Sequence, residues 1–495
     1  MLKENLIKNN KPNIVLISAD QLRRDAIGVY RNNIVKTPSI DSIANEGVVF
    51  DNHIVQNPVC MPSRWSIFTG KFPRNHGVRD NGVTYDKDQL TLARVLKNNG
   101  YKTAGIGKMH FTPQLAYKEN EDEEWPEDYF GLEVRHLTDD SKRGEYLDFL
   151  KEKDLQAYKN ILNEGKTKIK MDLESNFQRS FIEAPQVYES KIPVELHQTS
   201  WIADKTIDFI EENSKDPFFI WCSFVNPHHP FNPPEPYFSM YDPEIMPPAI
   251  LKKGELEDKP VHFFDMRKGN STGIPNYRLS EITDYGWKLV KAKYYGMVSL
   301  VDFNIGRILK TIKDKKILNN TIIIITSDHG ELLGDHSLLF KGPFHYDEII
   351  RVPLIIRFGN ELNSGSRVNN ITQHIDLMPT ILNSAGITSP RGVQGSDMQL
   401  VRQGKDNIGV EFALVENYAS DFGLSLKTIR SKDWRFTYYA NQKYGELYDL
   451  NKDPNEFENL WDKPEHKGLR DELMKKLLDI LISTEDMTLK RISKY

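Results

Sequence analysis

The chain has 495 residues, of which 39% are hydrophobic and 27% charged, with a formal net charge of -5. That balance suits a soluble globular enzyme and excludes a wholly disordered chain. So weak a net charge argues against a nucleic-acid or other polyanion-binding surface, while leaving room for a local basic pocket. The length exceeds one small core, so we expect a large domain over residues 1–405 and a smaller one over residues 406–495.

Met1 to Lys11 is polar and basic, and the run that follows, Ile14 to Ile17, is far shorter than a membrane span and has no small-residue cleavage site after it. The expectation is a cytoplasmic chain with no membrane partner. Only Cys60 and Cys222 are available for disulfides, so no disulfide framework is expected.

In chain order, Asn13 to Ser18 reads as a buried strand whose end carries Asp20. Leu90 to Asn98 is a helix with Leu92, Val95 and Leu96 on one face, stopped at Gly100. Lys102 to Ile106 is a strand running into Gly107-Lys108-Met109-His110. The helix Ile202 to Asn213 precedes a strand, Phe218 to Val225, that ends at Asn226-Pro227-His228-His229-Pro230. A long helix over Leu289 to Lys313 leads to the β-branched strand Thr321 to Thr326 and then Ser327-Asp328-His329-Gly330; Val352 to Arg357 is one more strand. Strand and helix alternate, which predicts an α/β fold with a large, mostly parallel sheet sandwiched by helices. The polar clusters fall just beyond the strand ends, where open α/β sheets bind their ligands.

Two charged stretches, 111–193 (with the acidic run Glu119 to Glu124) and 233–282, read as insertions that shape a pocket rim. Beyond Glu411 short strands are expected at Leu426 to Arg430, Trp434 to Tyr439 and Glu446 to Leu450, followed by an amphipathic helix, Leu469 to Ile482. This predicts a C-terminal α+β part with a short antiparallel sheet. Cys222 sits in an apolar run and reads as core.

The most specific string is Cys60-Met61-Pro62-Ser63-Arg64, continued to Thr69-Gly70. It resembles the signature of the sulfatase family, C-x-P-S-R followed by T-G, in which the cysteine is oxidised to formylglycine. The resemblance runs from about Pro12 to about Leu460, with the insertions unmatched, and implies an alkaline phosphatase-like fold. Asp20, Gln21, Asp328 and His329, with the side chain at 60, are then the implied metal site. Hard oxygen donors suit Ca²⁺, Mg²⁺ or Mn²⁺, and the imidazole leans toward Mn²⁺; the resemblance puts Ca²⁺ foremost. Gln21 stands where sulfatases typically have a second acid. It either ligates through its amide oxygen or only orients Asp20.

Gly107-Lys108-Met109-His110 resembles the family's G-K-x-H, which implies that Lys108 holds the anionic oxygen and His110 takes a proton from the formylglycine hydroxyl. Pro227-His228-His229-Pro230 resembles P-H-x-P and selects His228 over His229. Lys341 matches the lysine beside the leaving group, and Arg64 favours an anionic nucleophile. His336 and His345 receive no catalytic role. The implied substrate is a sulfate monoester, with a sulfated saccharide preferred, and a sulfatase-maturation enzyme is the implied partner. Asp20-Gln21 is also the pair of the related phosphonate monoester hydrolases, so a phosphonate monoester hydrolase or phosphodiesterase is the first alternative. A non-catalytic binder of sulfated or phosphorylated ligands is the second.

Overall fold

The computed structural model describes residues 11–113, 127–142, 144–173, 183–269, 277–359, 365–399, 409–486 and 488. The acidic run Glu119 to Glu124, the first ten residues and part of each insertion lie outside them.

Eight strands form the main sheet: β1 (Asn13–Ala19), β2 (Val48–Ile54), β3 (Lys102–Gly107), β4 (Val134–Leu137), β5 (Phe218–Phe224), β6 (Thr321–Thr326), β7 (Arg351–Phe358) and β8 (Ser366–Gln373). Their order is β4-β3-β5-β1-β6-β7-β2-β8. All neighbours pair in parallel except β7, which is antiparallel to both β6 and β2.

The apolar run of β1 has the composition of a strand covered on both faces. Val15 and Ile17 enter one buried cluster with Trp201, Ile202, Val290 and Ile305, from the helices Gln198–Asn213 and Asp284–Asp314. Ile14 and Leu16 enter another with Met61, Trp65, Leu92, Leu96 and Ile381, from the helices Cys60–Thr69, Leu92–Asn98 and Leu377–Ser384. Alternation along a single strand thus cements both helix layers.

The second sheet is antiparallel, in the order β12-β11-β10-β9, from β9 (Ala413–Ala419), β10 (Leu424–Arg430), β11 (Trp434–Tyr439) and β12 (Gly445–Asp449). Its Leu414, Ile429, Phe436 and Leu447 pack with Leu473 and Leu477 of the helix Lys467–Ser483. This sheet touches the main body close to Cys60. Glu416 donates its N–H to the Gln56 carbonyl at 2.8 Å, and Asn57 Nδ2 donates to the Glu416 carbonyl at 2.7 Å. Among the described residues no helix is long and apolar enough to cross a membrane.

The first insertion is more regular than its charged sequence suggests. It contributes β4 and the helices Glu145–Lys153 and Leu155–Leu173. Tyr146, Leu150, Ala157 and Ile161 are the apolar positions that join the core, and the charged positions between them mask the period.

Gly107 marks the seam between fold and site. Its φ is +94°, and a Cβ there would drive into the Ser223 carbonyl oxygen, which already accepts the Lys108 N–H at 2.9 Å. Gly107→Ala is therefore expected to cost about 2 kcal/mol or more of stability, read as a lowered Tm, because strain and clash coincide. An unchanged Tm would show that the β3–β5 junction is less tightly set than this.

Candidate active site

Five parallel strands are neighbours in the order β4-β3-β5-β1-β6, so the segments that follow them emerge together at one edge. β1 delivers Asp20 and Gln21, β3 delivers Lys108 and His110, β5 delivers His228, and β6 delivers Asp328 and His329. Cys60 opens the helix Cys60–Thr69, whose ten residues are all buried. The start of that helix is held by side chains. Asn57 Oδ1 accepts the Val59 N–H at 2.9 Å, and Asn81 Oδ1 accepts the Met61 N–H at 3.0 Å.

The side chains converge. Cys60 Sγ lies 3.1 Å from His329 Nε2, 3.8 Å from Asp20 Oδ1 and 3.8 Å from Lys108 Nζ. Arg64, one turn further along the helix, reaches Asp328 Oδ2 with Nε at 2.8 Å and Asp20 Oδ2 with an η nitrogen at 3.3 Å. A second η nitrogen donates to Ser223 Oγ at 2.8 Å and to the Lys108 carbonyl. Ser63 Oγ donates to the Asp328 carbonyl at 2.5 Å. One face of this helix is thereby stitched to the ends of β1, β3, β5 and β6.

Asp20, Cys60, Asp328 and His329 are all buried, with ligand atoms within 4.8 Å of one another. Two carboxylates and an imidazole around the side chain at 60 suit a divalent cation. Gln21 has φ +66° and donates its backbone N–H to Asp328 Oδ1 at 3.0 Å. Its amide oxygen accepts from Lys341 Nζ at 2.8 Å, and its amide nitrogen donates to Glu331.

Lys341 Nζ is also 2.7 Å from His228 Nε2, while His228 Nδ1 is 2.7 Å from the His229 carbonyl. The carbonyl fixes Nδ1 as the N–H and turns Nε2 into the site. His229 instead stacks on His228, with ring centroids 4.0 Å apart, and lies tilted against Phe340 at 4.2 Å. Burial, helped by His228 and Lys341, holds the His229 imidazole well below its usual range. His110 sits at φ +51° with its Nδ1 buried and without a hydrogen-bond partner among the described residues. The other two histidines lie elsewhere. His336 is 3.3 Å from Glu255, and His345 is 2.7 Å from Thr428 under the second sheet.

The charges reinforce one another. Burial alone would push the Cys60 thiol up, but Lys108, Lys341 and His329 hold it well below its usual range. Burial opposes charge on Lys108, and Asp140 and Asp20 outweigh it, raising the ammonium well above its ordinary value. Asp328 is held low against its burial by Arg64 and His329, and His329 is raised against its own burial by Asp328 and Cys60. The site is an oxyanion-seeking pocket in which each carboxylate has a cation beside it.

Sequence reasoning missed three participants: Asp140, Ser223 and Glu331. Ser223 belongs to the apolar run of β5 and carries no signal of its own. Glu331 follows the Asp328-His329-Gly330 string, and its place there was the available hint. Asp140 lies in a charged insertion with nothing to single it out.

The chain is similar in sequence and fold to known proteins. The family model described as Sulfatase matches residues 12–387, and one described as N-sulphoglucosamine sulphohydrolase, C-terminal, matches residues 334–483. An arylsulfatase of Clostridium perfringens (strain 13 / Type A) is 31% identical over 487 residues, covering 96% of this chain and 95% of its own. An N-acetylglucosamine-6-O-sulfatase of Bacteroides thetaiotaomicron is 28% identical over 529 residues, covering 95% of this chain and 86% of its own. A solved phosphonate monoester hydrolase of Agrobacterium radiobacter superposes with a TM-score of 0.83 at 26% identity, covering 98% of both chains. Fold and site together define an enzyme of the alkaline phosphatase superfamily. Within it, the chain belongs to the sulfatase family, whose members generally use a divalent metal and formylglycine.

Removing the central cation tests the electrostatic reading. Arg64→Met leaves Asp20 and Asp328 without their guanidinium, and thermal or denaturant unfolding is expected to show a loss of about 3–5 kcal/mol. A loss under about 1 kcal/mol would mean that Lys108 and His329 suffice as counter-charges.

Proposed function

We propose that this enzyme hydrolyses a sulfate monoester carried by a saccharide, using formylglycine made from Cys60. The observation that carries the reading is the position of the Cys60 side chain, within 3.1–3.8 Å of His329, Asp20 and Lys108. In the matured enzyme, the atoms at the Sγ position stand for the hydroxyls of the hydrated aldehyde. The saccharide follows from relatives such as the N-acetylglucosamine-6-O-sulfatase. Residues 1–405 carry the chemistry in this reading, and residues 406–495 brace it.

Asp20, Asp328, His329 and the side chain at 60 would hold the cation, for which we propose Ca²⁺. Gln21 either adds its amide oxygen or only orients Asp20 through the network it shares with Asp328. When bound, the cation supplies Lewis-acid polarisation and acidifies the nucleophilic hydroxyl.

The chain's own groups do the rest. One hydroxyl oxygen on residue 60 passes its proton to the neighbouring Asp20 carboxylate and bonds to sulfur while the ester S–O bond breaks. The leaving oxygen takes a proton from the Lys341 ammonium, which His228 Nε2 holds in place as its acceptor. Lys108 holds a non-bridging oxygen of the transferred group, and Arg64 keeps both metal-binding acids in place. His110 then removes the proton of the second hydroxyl. The C=O bond re-forms, the carbon–oxygen bond to sulfate breaks, and inorganic sulfate leaves. Two hydroxyls on one carbon let sulfate be shed by C–O cleavage without water having to attack sulfur, and water then adds to the aldehyde to restore the diol.

The test uses protein co-expressed with a maturation enzyme. Cys60→Ala is expected to abolish release of sulfate from sulfated mono- and disaccharides while leaving the Tm within a few degrees of wild type. Sulfate release surviving that change would remove the proposed nucleophile. Chelation of divalent metal is expected to silence the wild type, with Ca²⁺ restoring it.

A second reading is kept by the 0.83 superposition on a phosphonate monoester hydrolase and by Gln21 after Asp20. Rates on an aryl sulfate and on a phenylphosphonate ester separate the two. The sulfate is expected to be favoured, and a kcat/KM at least tenfold higher on the phosphonate would reverse the assignment.

A further inference from the structure

The insertion between β3 and the helix Gln198–Asn213 sends one acid into the site. Strands β3 and β4 are parallel neighbours with Gly107 opposite Leu137, so the segments after them leave side by side. The Thr138 N–H donates to the Gly107 carbonyl at 3.2 Å, which keeps the two exits together. The turn beyond is built rather than loose. Asp139 Oδ1 accepts the Ser141 N–H at 2.8 Å, and the Asp139 carbonyl accepts the Lys142 N–H at 3.0 Å. Buried Gln198 donates to Thr138 Oγ1 at 2.6 Å and to the Asp139 carbonyl at 2.8 Å.

Asp140 is thereby presented to Lys108. Its two oxygens lie 2.7 and 2.9 Å from Lys108 Nζ, and Oδ2 is 3.8 Å from His228 Nε2. Lys108 has a second acid, Asp20, at 2.5 Å.

We propose that Asp140 is a positioning residue for Lys108, supplied by the insertion to keep the ammonium over the nucleophile at residue 60. This rests on the role given to Lys108 in the proposed function. The two acids around Lys108 are not equivalent. Asp20 belongs to the metal-binding set, and a divalent cation there would repel an ammonium sharing the same carboxylate. Asp140 lies outside the set of Asp20, Cys60, Asp328 and His329, although it is also close to Asp20 and His228, and it holds Nζ with both of its oxygens. A lysine has four rotatable side-chain bonds and drifts unless something fixes its end. Burial would raise the Asp140 carboxyl, yet His228 and Lys108 draw it well below the usual carboxylate range, so it is the charged partner that role requires. The rival role for Asp140, direct contact with a donor group of the sugar, would make it independent of Lys108.

A double-mutant cycle over wild type, Asp140→Asn, Lys108→Ala and the double variant separates the roles, using matured protein and an aryl sulfate without a sugar. Asp140→Asn is expected to lower kcat about tenfold with KM changed less than about threefold, since a misplaced cation weakens transition-state stabilisation most. Asp140→Glu is expected to recover part of the loss. In the Lys108→Ala background the Asp140→Asn change is expected to cost less than about twofold. Equal losses in both backgrounds, or a single variant within about twofold of wild type, would overturn the proposal. Failure of the wild type to turn over either ester would instead count against the proposed function. The same four proteins are then compared in affinity for inorganic sulfate by calorimetry. Non-additivity there supports the positioning role, and additivity overturns it.

Discussion

The site depends on a guanidinium buried between two carboxylates. Asp20 and Asp328 follow β1 and β6, adjacent strands in register from Asn13 opposite Thr321 to Ser18 opposite Thr326. Their strands force the two acids together, and like charges at such range in a buried site repel strongly. Arg64 answers both at once, at 2.8 and 3.3 Å, from a helix on one face of the sheet. Because Arg64 lies one turn from Cys60, satisfying the acids also sets where the nucleophile stands. Electrostatic compensation and catalytic geometry are thus one constraint.

The rest of the site is a consequence of parallel pairing. Each strand of the run β4-β3-β5-β1-β6 contributes its next few residues to the same edge, so residues distant in sequence become neighbours, as Gln21 and Asp328 do at 307 positions apart. The antiparallel strand β7 closes this run on the β6 side, and it is followed by β2, whose exit leads into the Cys60 helix. Because β2 is in turn antiparallel to β7, it runs in the same sense as β6, and its exit delivers the nucleophile to the same edge of the sheet.

Much of this is legible in the sequence, for physical reasons. Strands β1, β5 and β6 are buried on both faces and read as unbroken apolar runs, so their ends, and the acids and histidines there, can be located. The Cys60 string carries enough information to be matched alone. The strands β2, β8 and β9 escape the same reading because polar groups lie inside them. Asn52 and His53 interrupt β2, Asn369 and Asn370 interrupt β8, and β9 buries Glu416 against Arg74 and Lys427. The helix after Thr283 begins at Asp284, five residues before its apolar period becomes visible, because the Thr283 side chain caps it by accepting the Gly286 N–H. Asp140 is invisible for a different reason: it pairs with Lys108, 32 positions away, and no local pattern encodes such a pairing.

The clamp between Asn57 and Glu416 bears on timing. The whole segment Cys60–Thr69 is sandwiched in the folded chain, and the strand that fastens its approach, β9, lies some 350 residues downstream and leaves the ribosome late. An enzyme that must grip the backbone around Cys60 to oxidise it would find nothing to hold once β9 has docked. Under the proposed function, maturation therefore has a window, open while the polypeptide is still being made and shut once its C-terminal sheet docks. A chain that folds before meeting its modifying enzyme would be stable, well shaped and permanently inert.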